Sequence, residues 1–163
     1  MIKVEKKSMK VGSFVNKNHV DKVIRTYKKE RWVHNSNRIG KEDSLSAWFS
    51  IEEIEEFIAM CKNHNADGIK FYFAAYPEDF APKPEYAGRQ TIVMVATKAK
   101  ETEDGSMNKD VYYEKDGASE ILAYNVGNLC PPICGGPNLN GETGIGSLGA
   151  TIIQKGDNGF FVI

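Results

Sequence analysis

Two thiols four residues apart, in Cys130-Pro131-Pro132-Ile133-Cys134, are the residues whose type and spacing most invite chemistry. Such a pair can close a small disulfide ring or donate two metal ligands. A structural zinc site needs four ligands, and the remaining candidates are Cys61 and the unpaired histidines His19, His34 and His64. A thioredoxin-type site places Cys-x-x-Cys ahead of a helix that lowers the thiol pKa, whereas here the spacing is one residue longer and the surroundings are proline and glycine. The favoured expectation is two reduced structural thiols, with a redox or metal site at Cys130 and Cys134 as the alternative. No cofactor is expected.

Gly144-Ile145-Gly146-Ser147-Leu148-Gly149 matches G-x-G-x-x-G, whose glycines let a backbone approach a pyrophosphate at a helix N-terminus. The context fails: the 14 residues that follow read as a β-hairpin and leave no room for the helix, second strand and acidic residue of a dinucleotide fold. No G-x-S-x-G, H-E-x-x-H or EF-hand loop occurs, and no carboxylate stands in a motif that names a catalytic partner. The residues that remain are aromatic and basic. Alternation along 69–76 sends Phe71 and Phe73 to one face of a strand, where a core is expected, and Tyr72 and Tyr76 with Lys70 to the other. Tyr72, Tyr76, Lys70 and Arg89, which opens the next strand, form the candidate ligand or partner face. Lys22, Arg25, Lys28 and Lys29 form a basic face that could meet phosphate.

These residues need elements to hold them. Val20, Val23, Ile24 and Tyr27 follow the i, i+3, i+4, i+7 spacing of an amphipathic helix over 19–31, with Asn18 as N-cap. Residues 35–46 are polar and turn-rich, and are expected to form a surface connection. Ser50 and Glu53 make a capping box ahead of Ile51, Ile54, Phe57, Ile58 and Cys61, so a second helix runs to about His64, with its stripe expected on the Phe71 and Phe73 side. Glu52, Glu55 and Glu56 form its solvated face. Strands are predicted over 69–76, over 91–97 (apolar at both parities and therefore central), within 120–126, and in a terminal hairpin about Gly156–Gly159; Trp48-Phe49 is a short strand candidate, and Lys98–Lys109 reads as an exposed hairpin connection. The fold class is α+β: an antiparallel or mixed sheet, two main helices on one face, and a long Gly/Pro-rich loop near the C-terminus.

A chain of 163 residues suits one domain, 1–163, and has enough apolar residues for a proper core. The net charge of −1 removes the simplest case for a dedicated nucleic-acid binder, yet it hides a partition. Residues 1–38, a basic helical segment, carry +8 and the remainder −9. Self-docking of these two parts is favoured over nucleic acid, because the acidic remainder is tethered at high effective concentration. No apolar run reaches the ~20 residues of a membrane span, and the charged start shows no signal peptide, so a cytoplasmic protein without membrane contact is expected.

The combination of Trp48-Phe49-Ser50 before a Glu-rich helix, Asp67-Gly68-Ile69, Gly88-Arg89-Gln90-Thr91 and Asn128-Leu129-Cys130-Pro131-Pro132 resembles small uncharacterised bacterial proteins over residues 46–135. The resemblance carries no activity or catalytic residue with it. The expected role is a non-enzymatic binding or protein-interaction domain. Its candidate partners are a protein, a small molecule or a second copy of the chain.

Overall fold

The computed structural model describes residues 9–134 and 153–162, the latter largely as backbone. The fold is α+β with antiparallel strand pairs. The chain divides into two compact, interleaved units. One draws on residues up to Phe14, Ser50–Tyr72 and Val93–Asn125; the other draws on Val15–Phe49, Phe73–Ile92 and Val126 onward. Among the described residues no helix is long and apolar enough to cross a membrane. Residues 135–149 of the Gly/Pro-rich segment, with the G-x-G-x-x-G motif, lie outside the described residues.

In the first unit, helix α3 (Ile51–Asn63) begins where its cap dictates: Ser50 Oγ accepts from Glu53 N and Glu53 Oε2 accepts from Ser50 N, the reciprocal pairing of a capping box. Asn65, at φ 58°, turns the chain out of the helix, and Ala66 N returns to Cys61 O. The sheet has the order β2-β3-β4, with β2 Gly68–Ala75, β3 Gln90–Thr102 and β4 Gly105–Asp110, and β7 (Ala123–Tyr124) also pairs with β3. As its two-sided apolar pattern requires, β3 is central, and Met94, Val95 and Ala96 are buried. The expected connection over 98–109 is a true hairpin, because β3 continues to Thr102 and pairs with β4.

A second hairpin, β5 (Tyr112–Lys115) and β6 (Ala118–Ile121), turns at Asp116-Gly117, both at positive φ. It leaves the sheet at a three-way junction. Ala96 N donates to Leu122 O, Leu122 N to Val111 O, and Val111 N to Ala96 O, all at 2.9 Å, so the diverging backbones satisfy one another.

The expectation that Phe71 and Phe73 form the core beneath α3 is corrected: they are 59% and 85% exposed. Phe57 of α3 instead stacks on Tyr124 of β7 at 5.6 Å, and Tyr124 Oη donates to Glu53 Oε1 at 3.0 Å. Among the described residues β2 ends the strand order.

In the second unit, helix α1 (Lys17–Tyr27) is capped by Asn16, which accepts from His19 N, rather than by Asn18. It passes through a π-helical turn, Lys28–Trp32, into α2, Val33–Ile39. The helix therefore continues through residues read from sequence as a surface connection. Lys28, Trp32 and Ser36 are buried at intervals of four, and Ile24 precedes them in the same series. An α-helix drifts off a strict four-residue spacing, and the wider π turn restores it. Val20 and Val23, expected in the apolar stripe, are exposed.

Beyond α2, Asp43 is a buried hub. Its carbonyl accepts Trp32 Nε1 at 2.8 Å, its N–H donates to Ser36 Oγ, and its Oδ1 accepts Ser44 N and Gln90 N. Strands β1 (Ser46–Trp48) and β8 (Asn128–Cys130) pair antiparallel, and Leu129 packs with Tyr76 and Tyr86 in a buried cluster. The terminal hairpin forms as expected, from β9 (Ile153–Gly156) and β10 (Gly159–Val162).

Candidate functional site

The four-residue face proposed from sequence separates into two places. Lys70 and Tyr72 belong to the first unit. Lys70 Nζ lies 3.0 Å from Asp110 Oδ1 and 3.4 Å from Tyr72 Oη, and Tyr72 Oη donates to both Asp110 oxygens at 3.0 and 3.2 Å. The hydrogen bond from Lys70 holds the Asp110 carboxyl below its usual range, with Tyr72 adding to the effect, and the same contacts raise Lys70. Strand register makes the cluster possible, because Asp110 closes β4 opposite Thr97 while Lys70 and Tyr72 stand two apart on β2.

Lys70 also lines a cleft of about 380 Å³, within the range of small-molecule sites. Asp67, Thr97, Ser106 and Asn108 supply its other polar groups, and Ile69, Ala99, Met9 and Val11 its apolar ones. Both Asp67 carboxylate oxygens accept from Ala99 N, at 3.0 and 3.1 Å, which fixes that carboxylate on the sheet. Gly68 is part of the lining, and a Cβ there would stand 2.9 Å from Thr97 Oγ1, so a side chain at this position requires Thr97 to shift.

Tyr76 and Arg89 belong to the second unit, and both are buried. Tyr76 stacks on Phe80 at 4.3 Å and on Tyr86 at 5.7 Å. Arg89 is 8% exposed; its Nε donates to Glu85 O at 2.9 Å, and its Nη1 has no hydrogen-bond partner among the described residues. Burial lowers the Arg89 pKa, opposed by the charges of Asp43 and Glu42. Tyr76 belongs to the buried cluster with Tyr86 and Leu129. Tyr27 of α1 donates from its Oη to Gln90 Oε1 at 2.6 Å, and burial, helped by Asp43, pushes its pKa up to about 12.

Cys130 and Cys134 are joined in a disulfide, with Cα atoms 4.6 Å apart, where two reduced thiols were expected. A five-residue turn brings the ends of the segment within bridging reach. Cys61 is free and buried on α3, as its place in the apolar stripe requires, and burial raises its thiol pKa. Among the described residues no three His, Cys, Asp or Glu side chains gather as a metal set.

Of the basic face, Lys22, Arg25 and Lys29 are exposed, whereas Lys28 is fully buried and desolvation lowers its pKa. No family model matches the chain, and no curated protein or solved structure matches it.

Sequence reasoning missed Asp43, Asp110 and the cleft. Asp110 and the cleft depend on strand register, which no local pattern reports. Asp43 lay in a polar stretch that composition alone marks as a loop.

Proposed function

We propose that the protein is a non-enzymatic binding domain that takes a small molecule in the cleft bounded by Lys70, Asp67, Ser106 and Asn108. The observation that carries this reading is the composition of that cleft: about 380 Å³ in which hydroxyl, amide, carboxylate and ammonium groups converge beside an apolar wall. Ligand sites combine these features, because apolar surface supplies affinity and a few fixed polar groups supply orientation. Asp67 is fixed by Ala99 N, and Lys70 by Asp110 and Tyr72, so both charged groups are preorganised. No nucleophile paired with a base lines the cleft among the described residues, which favours binding over catalysis.

The test is a thermal-shift screen of the full chain against a small-molecule fragment set, run in parallel on Ser106→Trp, which fills the cleft from an exposed strand. Fragments that raise the melting temperature of the wild type and not of Ser106→Trp support the reading. A set of hits that stabilises both proteins equally places binding elsewhere and contradicts it.

A further inference from the structure

The two sulfurs of the Cys130–Cys134 bridge stand in different surroundings. Cys130 is 6% exposed, ends β8 opposite Ser46, and its carbonyl accepts Leu45 N at 2.7 Å. Cys134 is partly exposed. The segment that the bridge spans carries other restraints as well. Ile133 N donates to Leu129 O at 2.7 Å, and Pro131 and Pro132 have their φ angles fixed by their rings. The chain entropy removed by a crosslink shrinks with the ring it closes, so a sequence separation of four in a segment with two prolines gives the bridge less to stabilise than a long ring would. A bond that closes a short ring and has one partly exposed cysteine has the form of an exchangeable couple. The remaining cysteine, Cys61, is buried in α3 and does not compete.

We propose that Cys130 and Cys134 form a reversible thiol–disulfide couple that exchanges electrons with a dithiol partner, with the Cys134 sulfur as the point of attack. This goes beyond the binding reading and does not depend on it. In the forward step a thiolate of the partner attacks Cys134 Sγ and the Cys130–Cys134 bond breaks. The electron pair leaves on Cys130 Sγ, which then takes a proton. The second thiolate of the partner attacks the partner's own sulfur in the mixed disulfide and releases Cys134 as a thiolate, which is protonated in turn. Net, the dithiol is oxidised to a disulfide, and two electrons and two protons reside on Cys130 and Cys134. A small disulfide such as oxidised glutathione reverses the sequence.

The experiment uses the native full chain, dithiothreitol as the dithiol probe and oxidised glutathione as the disulfide probe, with alkylation and mass spectrometry to count and locate thiols. The expected result is that Cys130 and Cys134 become alkylated together after dithiothreitol while the melting transition persists, and that oxidised glutathione restores the bridge. Cys130→Ser should accumulate a glutathione mixed disulfide at Cys134, and Cys134→Ser should accumulate far less at Cys130. A bridge that opens only when the protein unfolds, thiols that oxidised glutathione never rejoins, or glutathione carried mainly by Cys130 would overturn the proposal. The wild-type cycle stands without either variant, so a serine variant that fails to fold leaves the test intact.

Discussion

At the scale of single residues, two carboxylates organise the molecule in opposite ways. Asp43 is buried, and four hydrogen bonds converge on its side chain and backbone. Asp43→Ala leaves the Ser44 and Gln90 amides without their acceptor and removes a charge that offsets Arg89, so it should cost about 2–5 kcal/mol. Asp43→Asn keeps one side-chain oxygen and should cost less. Urea denaturation of the two variants checks the order, and equal small losses would show that the hub is dispensable. Asp110 is near the surface and acts through Lys70 and Tyr72. Its folded pKa is depressed, so its contribution is present above the unfolded carboxyl value of ~3.9 and is lost as pH falls through the folded value. Lys70, whose pKa is raised, stays charged throughout that window. The stability difference between wild type and Asp110→Asn should therefore be constant near neutrality and shrink in acid. A difference that does not change with pH would mean that the ion pair is not formed in solution.

At the scale of elements, legibility follows locality. Helix α3 could be read because its cap, stripe and terminator all lie within its own sequence, from Ser50 and Glu53 to Asn65. Phe57→Ala should cost about 3–5 kcal/mol, since it empties a buried position stacked on Tyr124, and Ser50→Ala about 1 kcal/mol for the lost cap. Thermal denaturation of both measures the ratio, and a Phe57→Ala cost near that of Ser50→Ala would contradict the packing of α3 on β7. The hairpin turning at Asp116-Gly117 was missed: Asp-Gly is a strong type I′ turn signal, but the short polar strands around it alternate too weakly to be read as strands. The extension of the N-terminal helix to Ile39 was not legible. Its register depends on a π turn, and its anchor, Trp32, is held by Asp43 eleven residues on. The core assignment of Phe71 and Phe73 failed because alternation identifies two faces without saying which one an adjoining element covers.

At the scale of the whole molecule, the partition of +8 and −9 suggested that charge would dock the N-terminal segment. Its described attachments include a buried indole and a phenol, Trp32 to Asp43 O and Tyr27 to Gln90. Lys17 pairs with Asp21 within α1, and no described ion pair ties Lys22, Arg25 or Lys29 to the acidic remainder. Such exposed pairs are worth little, which agrees with attachment by burial and hydrogen bonding. The cleft is a property of this scale too, since its lining comes from β2, β3, β4 and the segment around Met9 and Val11. The most direct measurement is an amide chemical-shift titration of the full chain with a fragment that passes the Ser106→Trp comparison. The binding account predicts that Gly68, Lys70, Ala99 and Asn108 shift together and saturate at one stoichiometric equivalent, with the β5–β6 hairpin unmoved. Shifts confined to other residues, or none at these four while the fragment binds, would contradict it.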